Sequence, residues 1–257
     1  AELAQARANL RAAESELAEV VGKSVAKNIR QYRDAVDAET QERLMRLHGA
    51  TLVTMDDPAY PALLAEIYDP PLMLFTRGGL LETDQYAVAI VGTRKPTNYG
   101  LGMAERLGAD LAARGITVVS GMAEGIDAAA HRGAMRVGGR TIAVLGSGVD
   151  QVFPAIHADL MREIIQNGAV VSLFPMGMPA MAGNFPQRNR VISGLAMGLI
   201  VVEAGPTSGA LITARHAAEQ GREVFAVPGH AGHPCSMGPH SLIREGAKLV
   251  ETVNDVL

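Results

Sequence analysis

The sequence has no tryptophan, a single cysteine and few aromatic side chains, which make up only 4% of its 257 residues. The lone cysteine, Cys235, excludes an internal disulfide framework and is typical of a reducing compartment, so we expect a cytoplasmic protein. No apolar run reaches the ~18–20 residues that a membrane-spanning helix needs. The first residues, AELAQARANL, are also too polar for a signal peptide, so we expect no membrane association.

The chain also lacks a strong net charge, since 23 Lys and Arg against 27 Asp and Glu give −4 at pH 7. No global basic field attracts polyanions, so any nucleic-acid or phosphate site must be a local basic patch. What the chain does contain is 28 glycines and 48% hydrophobic residues. This combination is typical of an α/β fold, in which backbone turns pass close to a ligand.

The pattern of residues 1–47 predicts a small N-terminal helical region. Its leucines recur every seven residues with small apolar residues between them, which forms an a/d-like stripe. The stripe indicates either a helix packed on its own protein or a coiled-coil site for a partner. A break is predicted at Gly22-Lys23-Ser24, and a second amphipathic helix follows to about Leu47. The stripe consists of Leu3, Ala6, Leu10, Ala13, Leu17 and Val20.

Residues 48–84 contain four prolines and predict a linker or extension with short strands and a short helix. The main domain, residues 85–257, alternates continuous apolar runs with helical segments. Such alternation predicts an extended Rossmann-like, doubly wound α/β fold with a mostly parallel sheet covered on both faces. Strands are predicted at 87–92, 116–121, 141–146, 169–174, 199–204 and 223–229, and helices at 100–114, 127–137, 157–167 and 208–220.

The first strand of this domain runs into VGTRKPTNYGLG, residues 91–102, at the end of the sheet where ligands bind in such folds. Gly92 permits a turn, Thr93, Arg94 and Lys95 follow at the strand tip, and a helix is predicted from about Asn98. The stretch is not G-x-G-x-x-G, and no acidic residue ends the next strand, so a dinucleotide cofactor is disfavoured and we expect none. An arginine beside helix amides favours a phosphate ligand, although Arg94 as a simple surface residue is the alternative.

The second strand gives SGMAEGIDAAAH, in which Ser120 and Gly121 end the strand and Asp127 is predicted as a helix N-cap. Asp127 and His131 share a helix face, and with Ser120 they suggest a hydrolytic triad. No G-x-S-x-G turn is present, so a structural Asp–His pair is the better interpretation.

Four potential metal ligands occur close together in PGHAGHPCSMGPH. They are His230, His233, Cys235 and His240. Their spacing matches no standard zinc-binding pattern, and Gly and Pro dominate the stretch, so we expect a loop rather than a metal site.

A small basic stretch, NFPQRNRVISGL at 184–195, precedes a predicted helix. Alternate residues of an extended segment face the same side, so Arg188 and Arg190 could meet one phosphate track. Asn189 could hydrogen-bond backbone or base edges, and an exposed Phe185 could stack on a base. The alternative is that Phe185 is a core residue and that one arginine pairs structurally, for instance with Glu203. Further along, Ser208 and Gly209 open a helix and add donors to the same crevice.

Six ordered segments together resemble the DNA-processing protein A family, also named DprA or Smf, over about residues 50–250. The segments are AIVGTRKPTNYG, SGMAEGIDAAAH, TIAVLGSGVDQVFP, FPQRNRVISGL, EAGPTSGALITA and VFAVPG…SLIREGAK. The resemblance implies a protein that binds single-stranded DNA without catalysis, protects incoming DNA during natural transformation and helps load the RecA recombinase. It also implies a homodimer, with His240 and Leu249 near the contact.

The family's G-[ST]-R loop and F-P-x-R-N-R segment line the DNA pocket, and they match Gly92–Arg94 and Phe185–Arg190.

Departures from the family pattern are Leu173 where Glu is usual and Pro239-His240 where Cys-Asn is common. The N-terminal region lacks the family's Gly-x-Gly hairpin pattern. The sequence ends at ETVNDVL without room for the winged-helix domain found in many members, which indicates either a short member or a truncated one. The candidate DNA-binding residues are therefore Gly92, Thr93, Arg94, Lys95, Ser120, Gly121, Phe185, Arg188, Asn189, Arg190, Ser208 and Gly209.

Two other functions compete with this interpretation. A nucleotide-processing enzyme of the phosphoribohydrolase type uses a similar fold, but its P-G-G-x-G-T loop is missing and AVPGHAGH is the nearest stretch. A purely structural interaction protein built on the N-terminal stripe is the other alternative. Release of a free base from a nucleoside monophosphate would favour the first, and partner binding by residues 1–47 alone would favour the second.

Overall fold

The computed structural model describes residues 37–257, together with Glu16, Ala18, Glu19, Gly22, Lys23 and Ala26. The predicted heptad stripe from Leu3 to Val20 lies outside the described residues. Gly22, where a break is predicted, has a φ of 83°. The chain divides into two compact units, residues 1–44 and residues 45–257. Helix α1, Ala38–His48, ends where the sequence predicts the second helix to end.

Nine strands of the described chain form one sheet. They are β1 Ala50–Thr54, β2 Met73–Gly78, β3 Ala87–Val91, β4 Thr117–Ser120, β5 Thr141–Val144, β6 Gly168–Ser172, β7 Gly198–Val201, β8 Glu223–Ala226 and β9 Lys248–Leu249. Their order is β1-β2-β6-β5-β4-β3-β7-β8-β9, and all pairs from β6 to β9 are parallel. The mostly parallel α/β fold predicted from the sequence is confirmed. The predicted strands overlap the observed ones but run one to three residues too far, because the last residues already turn into loops.

The segment predicted as a linker, residues 48–84, contributes to this same sheet. Its two strands, β1 and β2, pair antiparallel with each other, and β2 pairs antiparallel with β6, with Phe75 opposite Ser172. A short helix, α2 Ala62–Ala65, lies between them. Leu64 and Leu74 are fully buried, so this segment shares the core of the main domain.

Helices cover both faces of the sheet. They are α3 Asn98–Ala112, α4 Ile126–Arg136, α5 Ala158–Asn167, α6 Asn184–Gly194, α7 Gly209–Glu219 and α8 Met237–Arg244. On one face, Leu107 of α3 and Ile126 of α4 pack in one hydrophobic cluster with the strands. On the other face, Ile192 of α6 and Ala214 of α7 belong to a second cluster. Among the described residues, no helix combines the length and apolar character needed to span a membrane.

The strand order changes direction at β3. The chain proceeds from β3 to β4, β5 and β6 on one side of it, whereas β7, β8 and β9 lie on the other side. Loops that leave β3 and β7 therefore diverge at the carboxyl ends of the strands and open a crevice there, as expected at the switch point of a doubly wound sheet. A hydrogen bond from Thr93 N to Glu203 O, 2.7 Å long, joins the two loops at the base of this crevice.

Candidate functional site

A cavity of about 470 Å³ opens at this position, and we refer to it as the switch-point cavity. Its walls come from the loops after β3 and β7 and from the first turns of α6 and α7. Nine of the twelve residues predicted from the sequence line it. They are Gly92, Thr93, Arg94, Lys95, Phe185, Arg188, Asn189, Ser208 and Gly209.

The loop after β3 begins at a glycine because no side chain fits there. A Cβ at Gly92 would lie 2.5 Å from Ile126 Cγ1 and 2.8 Å from Glu203 O. Thr97 ends the loop as the N-cap of α3, where its hydroxyl accepts a hydrogen bond from Gly100 N. The amide and hydroxyl of Thr97 also donate to the Glu203 carboxylate at 2.8 and 2.6 Å. Glu203 thus holds this loop and is not the partner of Arg188 or Arg190, although one of the two arginines, Arg190, does pair structurally, with Asp69.

The loop presents Arg94 to the cavity as an exposed and unpaired cation. No carboxylate of the described residues lies within ion-pair distance of its guanidinium. Arg94 Cζ lies 5.3 Å from the centroid of the Phe185 ring, and Arg188 Cζ lies 5.9 Å from the same centroid. Phe185 is only half-buried, so it is a cavity residue rather than the core residue of the alternative interpretation. One aromatic ring therefore contacts two cations at the mouth of the cavity.

Arg188 is the buried cation of the site, with 5% of its surface exposed. Its Nη1 donates a 2.7 Å hydrogen bond to Val144 O at the end of β5. Burial lowers the pKa of Arg188 to about 10, the Arg94 guanidinium adds to this effect, and the Asp127 carboxylate opposes it. The guanidinium is therefore charged at neutral pH and held in a fixed place.

Asp127 differs from its predicted role. Gly125 occupies the N-cap position of α4, and Asp127 is the second residue of the helix. Its carboxylate accepts hydrogen bonds from Gly121 N at 3.2 Å and Ala123 N at 3.4 Å. Burial raises the pKa of Asp127, and the nearby Arg188 guanidinium opposes this shift. Asp127 therefore accepts hydrogen bonds from amides of the loop between β4 and α4, and it lies near the buried arginine.

The predicted Asp–His pair is not formed either. His131 Nδ1 lies 2.6 Å from Thr141 Oγ1, not at Asp127. Ser120 is fully buried and donates to Ile90 O at 2.6 Å, which places it outside the switch-point cavity. No hydrogen bond joins these three described side chains to one another, so they do not form the triad considered above.

The basic stretch at 184–195 is helical from Asn184, so the extended segment expected there is wrong. Residues two apart on a helix are separated by roughly 200°. Arg190 consequently leaves the cavity, and its Nη1 lies 3.2 Å from Asp69 Oδ2. Asn189 stays at the cavity, where its Nδ2 donates a 3.4 Å hydrogen bond to Gly209 O. Of the two arginines, only Arg188 contacts the site.

Helix α7 begins at the opposite wall of the cavity. Ser208 is its N-cap, and the Ser208 hydroxyl accepts a hydrogen bond from Ala210 N at 3.3 Å. Gly209 follows as the first helical residue. The predicted helix start at 208–209 is confirmed, and it brings the positive end of a helix to the cavity.

A second, smaller cleft of about 50 Å³ adjoins the cavity and shares Arg94, Phe185 and Arg188 with it. We refer to it as the Phe153 cleft, because Phe153, which is 44% exposed, forms its outer wall. The Phe153 and Phe185 ring centroids are 5.8 Å apart. Sequence reasoning missed Phe153, whose only signal was an aromatic residue in the loop that follows β5. Gly121 also lines this cleft rather than the switch-point cavity.

The remaining candidate residues lie elsewhere. His240 is half-buried in α8, with its Nε2 3.1 Å from Gly229 O. His233 Nδ1 accepts a hydrogen bond from Cys235 N at 3.2 Å. Within the described residues, no three His, Cys, Asp or Glu side chains are grouped as a metal would require. Leu249 lies on β9, the last strand of the sheet, and is 43% exposed.

The family model for DNA recombination-mediator protein A matches residues 51–257 of the chain. The chain belongs to this family. Protein Smf of Escherichia coli is 47% identical over 207 residues, which are 80% of this chain and 55% of that protein. DNA processing protein DprA of Bacillus subtilis is 39% identical over 212 residues, or 82% of this chain and 71% of that protein. The resemblance inferred from the six motifs is thereby confirmed.

Solved structures of the family have the same fold. The X-ray structure of DNA processing protein A from Streptococcus pneumoniae has a TM-score of 0.81 at 36% identity, covering 95% of this chain and 89% of that one. DNA processing protein A from Helicobacter pylori, described for its single-stranded DNA binding mode, has a TM-score of 0.72 at 28% identity. It covers 80% of this chain and 94% of that one. The present chain spans about half the length of the Escherichia coli relative, 55%.

Proposed function

We propose that this protein binds single-stranded DNA at the switch-point cavity and does so without catalysis. The observation that carries the proposal is the unpaired Arg94 guanidinium, which lies at the cavity mouth 5.3 Å from the centroid of a half-buried Phe185 ring. A cation without a carboxylate partner is available to a phosphate, and an adjacent aromatic ring is available to a base. The family relative from Helicobacter pylori, described for single-stranded DNA binding, supports this assignment.

The buried Arg188 supplies the second positive charge of the proposed site. Because its hydrogen bond to Val144 O and its contact with Gly121 fix the guanidinium before DNA arrives, little side-chain entropy is lost on binding. The helix start at Ser208 and Gly209 faces the same cavity and favours an anion there. We assign phosphate contacts to Arg94, Lys95 and Arg188 in this arrangement.

Beyond binding, we propose the cellular role implied by the family resemblance. The protein protects incoming single strands in the cytoplasm during natural transformation and helps load the RecA recombinase onto them. A homodimer is part of this proposal, with its contact near His240 and Leu249. The exposure of Leu249 on the last strand of the sheet supports that position. Co-sedimentation of purified RecA with single-stranded DNA, with and without this protein, tests the loading step.

The binding proposal is tested by fluorescence anisotropy with a labelled single strand and the matching duplex over a series of salt concentrations. We expect tighter binding to the single strand and an affinity that falls as salt rises. Arg94→Ala should weaken binding severalfold and reduce the salt slope by about 1, since one phosphate contact is lost. Incubation with nucleoside monophosphates should release no free base.

Arg190→Ala is the matched control, because it removes the same side chain from the same basic region but outside the cavity. The ion pair with the exposed Asp69 contributes little, but the Arg190 side chain is only 20% exposed, so we expect some loss of stability from lost packing and unchanged affinity. The assignment fails if Arg94→Ala binds like the wild type at low salt, or if both variants lose affinity equally.

A further inference from the structure

We infer that Phe153 is a base-stacking site that takes an unstacked nucleobase of the bound single strand beside the switch-point cavity. The inference rests on the proposed single-strand binding and adds a subsite of different chemistry to it. The ligand class is a neutral aromatic base rather than a phosphate. The 44% exposed ring of Phe153, placed 5.8 Å from Phe185, is the observation from which the inference starts.

The backbone that carries Phe153 is firmly held, although the ring itself is exposed. Ser172 Oγ on β6 donates a 2.6 Å hydrogen bond to Ser147 O, and Ser147 Oγ donates a 2.9 Å bond to Gln151 O. Residues 145–149 of this loop are buried. An aromatic ring on such a pre-ordered loop loses little conformational entropy when a base stacks on it, which makes it an effective binding surface.

The two neighbouring rings are not equivalent. Phe185 is contacted by two guanidinium groups, with Arg94 at 5.3 Å and Arg188 at 5.9 Å from its centroid. Among the described residues, no cation lies over the Phe153 ring. The planes of the two rings are tilted by 43°, so they do not stack on each other. Phe153 therefore has free aromatic surface, whereas the surface of Phe185 is shared with cations.

Charge separates the two subsites as well. The Phe153 cleft is lined by the exposed Glu124, whose carboxylate repels a phosphate. The switch-point cavity shares Arg94 and Arg188 with the cleft, but it also carries Lys95, and none of its described lining residues is an exposed carboxylate. A strand whose backbone follows the cations has room to place a neutral base on the Phe153 side. Stacking of this kind tolerates every base, because each base has a π-face.

The test compares Phe153→Ala, Phe153→Leu and Phe153→Tyr by anisotropy with an oligothymidylate and with an abasic strand of the same length. We expect Phe153→Ala to weaken oligothymidylate binding roughly 5- to 150-fold, the range of one base–aromatic stack. Phe153→Leu keeps apolar bulk and should also weaken binding, while Phe153→Tyr should bind like the wild type. Binding to the abasic strand and the salt slope should not change in any variant.

Tyr68→Ala is the control, since Tyr68 is a fully exposed aromatic residue that lines neither cleft. The inference is overturned if Phe153→Ala retains wild-type affinity for oligothymidylate, or if it loses affinity for the abasic strand to the same extent. The first result leaves the proposed function intact. A wild-type protein that does not bind oligothymidylate overturns both the proposed function and this inference.

Discussion

The guanidinium of Arg188 packs directly against the backbone of Gly121, so that a Cβ at position 121 would lie 2.6 Å from Arg188 Cζ. Position 121, directly after β4, therefore has to be glycine as long as the buried Arg188 of α6 keeps its place. Arg188 is also tied to Val144 O at the end of the neighbouring strand β5. The positions of these groups depend on one another, and a change at Gly121 tests that dependence.

We predict that Gly121→Ala destabilises the protein by about 1–3 kcal/mol, the usual cost of forcing a methyl group into a packed site. The methyl group displaces the Arg188 guanidinium and weakens its hydrogen bond to Val144 O, so affinity for single-stranded DNA should fall as well. Urea denaturation measures the first effect, and anisotropy measures the second.

Gly102→Ala provides the control for this prediction. Gly102 lies within α3, and a Cβ there meets no atom within 4 Å. Replacing an exposed helical glycine by alanine should stabilise the protein by about 0.5–1 kcal/mol. If the two variants had the same free energy of unfolding, the contact between Gly121 and Arg188 would not constrain the site.

The sequence was sufficient for the main elements of the fold because buried parallel strands are continuous apolar runs. The start of α6 was missed, since NFPQRN has no apolar period. The helix there is supported by distant groups instead: Asn184 Nδ2 donates to Gly146 O at 2.9 Å, and Arg188 Nη1 donates to Val144 O at 2.7 Å. The local sequence pattern around 184–190 cannot show these hydrogen-bond acceptors, because they lie some 40 residues earlier in the chain.

The candidate site could be predicted only in part, because the sequence shows which residues follow each strand but not which distant residues they meet. Residue types at strand tips, such as Arg94 after β3, follow from the motif and its position. The direction in which a side chain points does not follow from the motif. For this reason Arg190 and Ser120 are among the DNA-binding residues predicted from the sequence, although neither lines the cavity. Phe153 could not be predicted from its own segment, because its place in the site depends on the approach of the loop after β5 to Phe185 in the first turn of α6. Similarly, the pairing of β2 with β6, which brings Phe75 opposite Ser172, joins segments far apart in the chain.

The proposed dimer contact at the edge strand β9 leads to a second prediction. Leu249→Lys places a charge where the proposed partner subunit covers an apolar side chain, and desolvating that charge is costly. We expect the variant to sediment as a monomer while the wild type sediments as a dimer, with no change in circular dichroism. Leu72→Lys, at an exposed leucine outside the proposed contact, should remain dimeric. A monomeric wild type would contradict the proposed assembly.

His131 makes the protein sensitive to acid. Thr141 Oγ1 donates to Val118 O at 2.7 Å, so it accepts from His131 Nδ1, and the described residues provide no partner for the buried Nε2. Protonating Nε2 would create a buried charge near other cationic groups. Burial, chiefly, and the neighbouring His157 and Arg188 lower the pKa of His131 to about 3. In the unfolded chain a histidine has a pKa of about 6.5.

The unfolded state therefore binds a proton below about pH 6.5, whereas the folded state does not until about pH 3. Stability should be fully present above this window and should fall by about 1.4 kcal/mol per pH unit as the pH decreases through it. Urea denaturation between pH 7 and roughly pH 4 measures this slope. His131→Gln should show a shallower slope than the wild type, and His230→Gln, at an exposed histidine, is the matched control. An imidazole of His131 that titrates by NMR near its ordinary pKa in the folded protein would contradict the prediction.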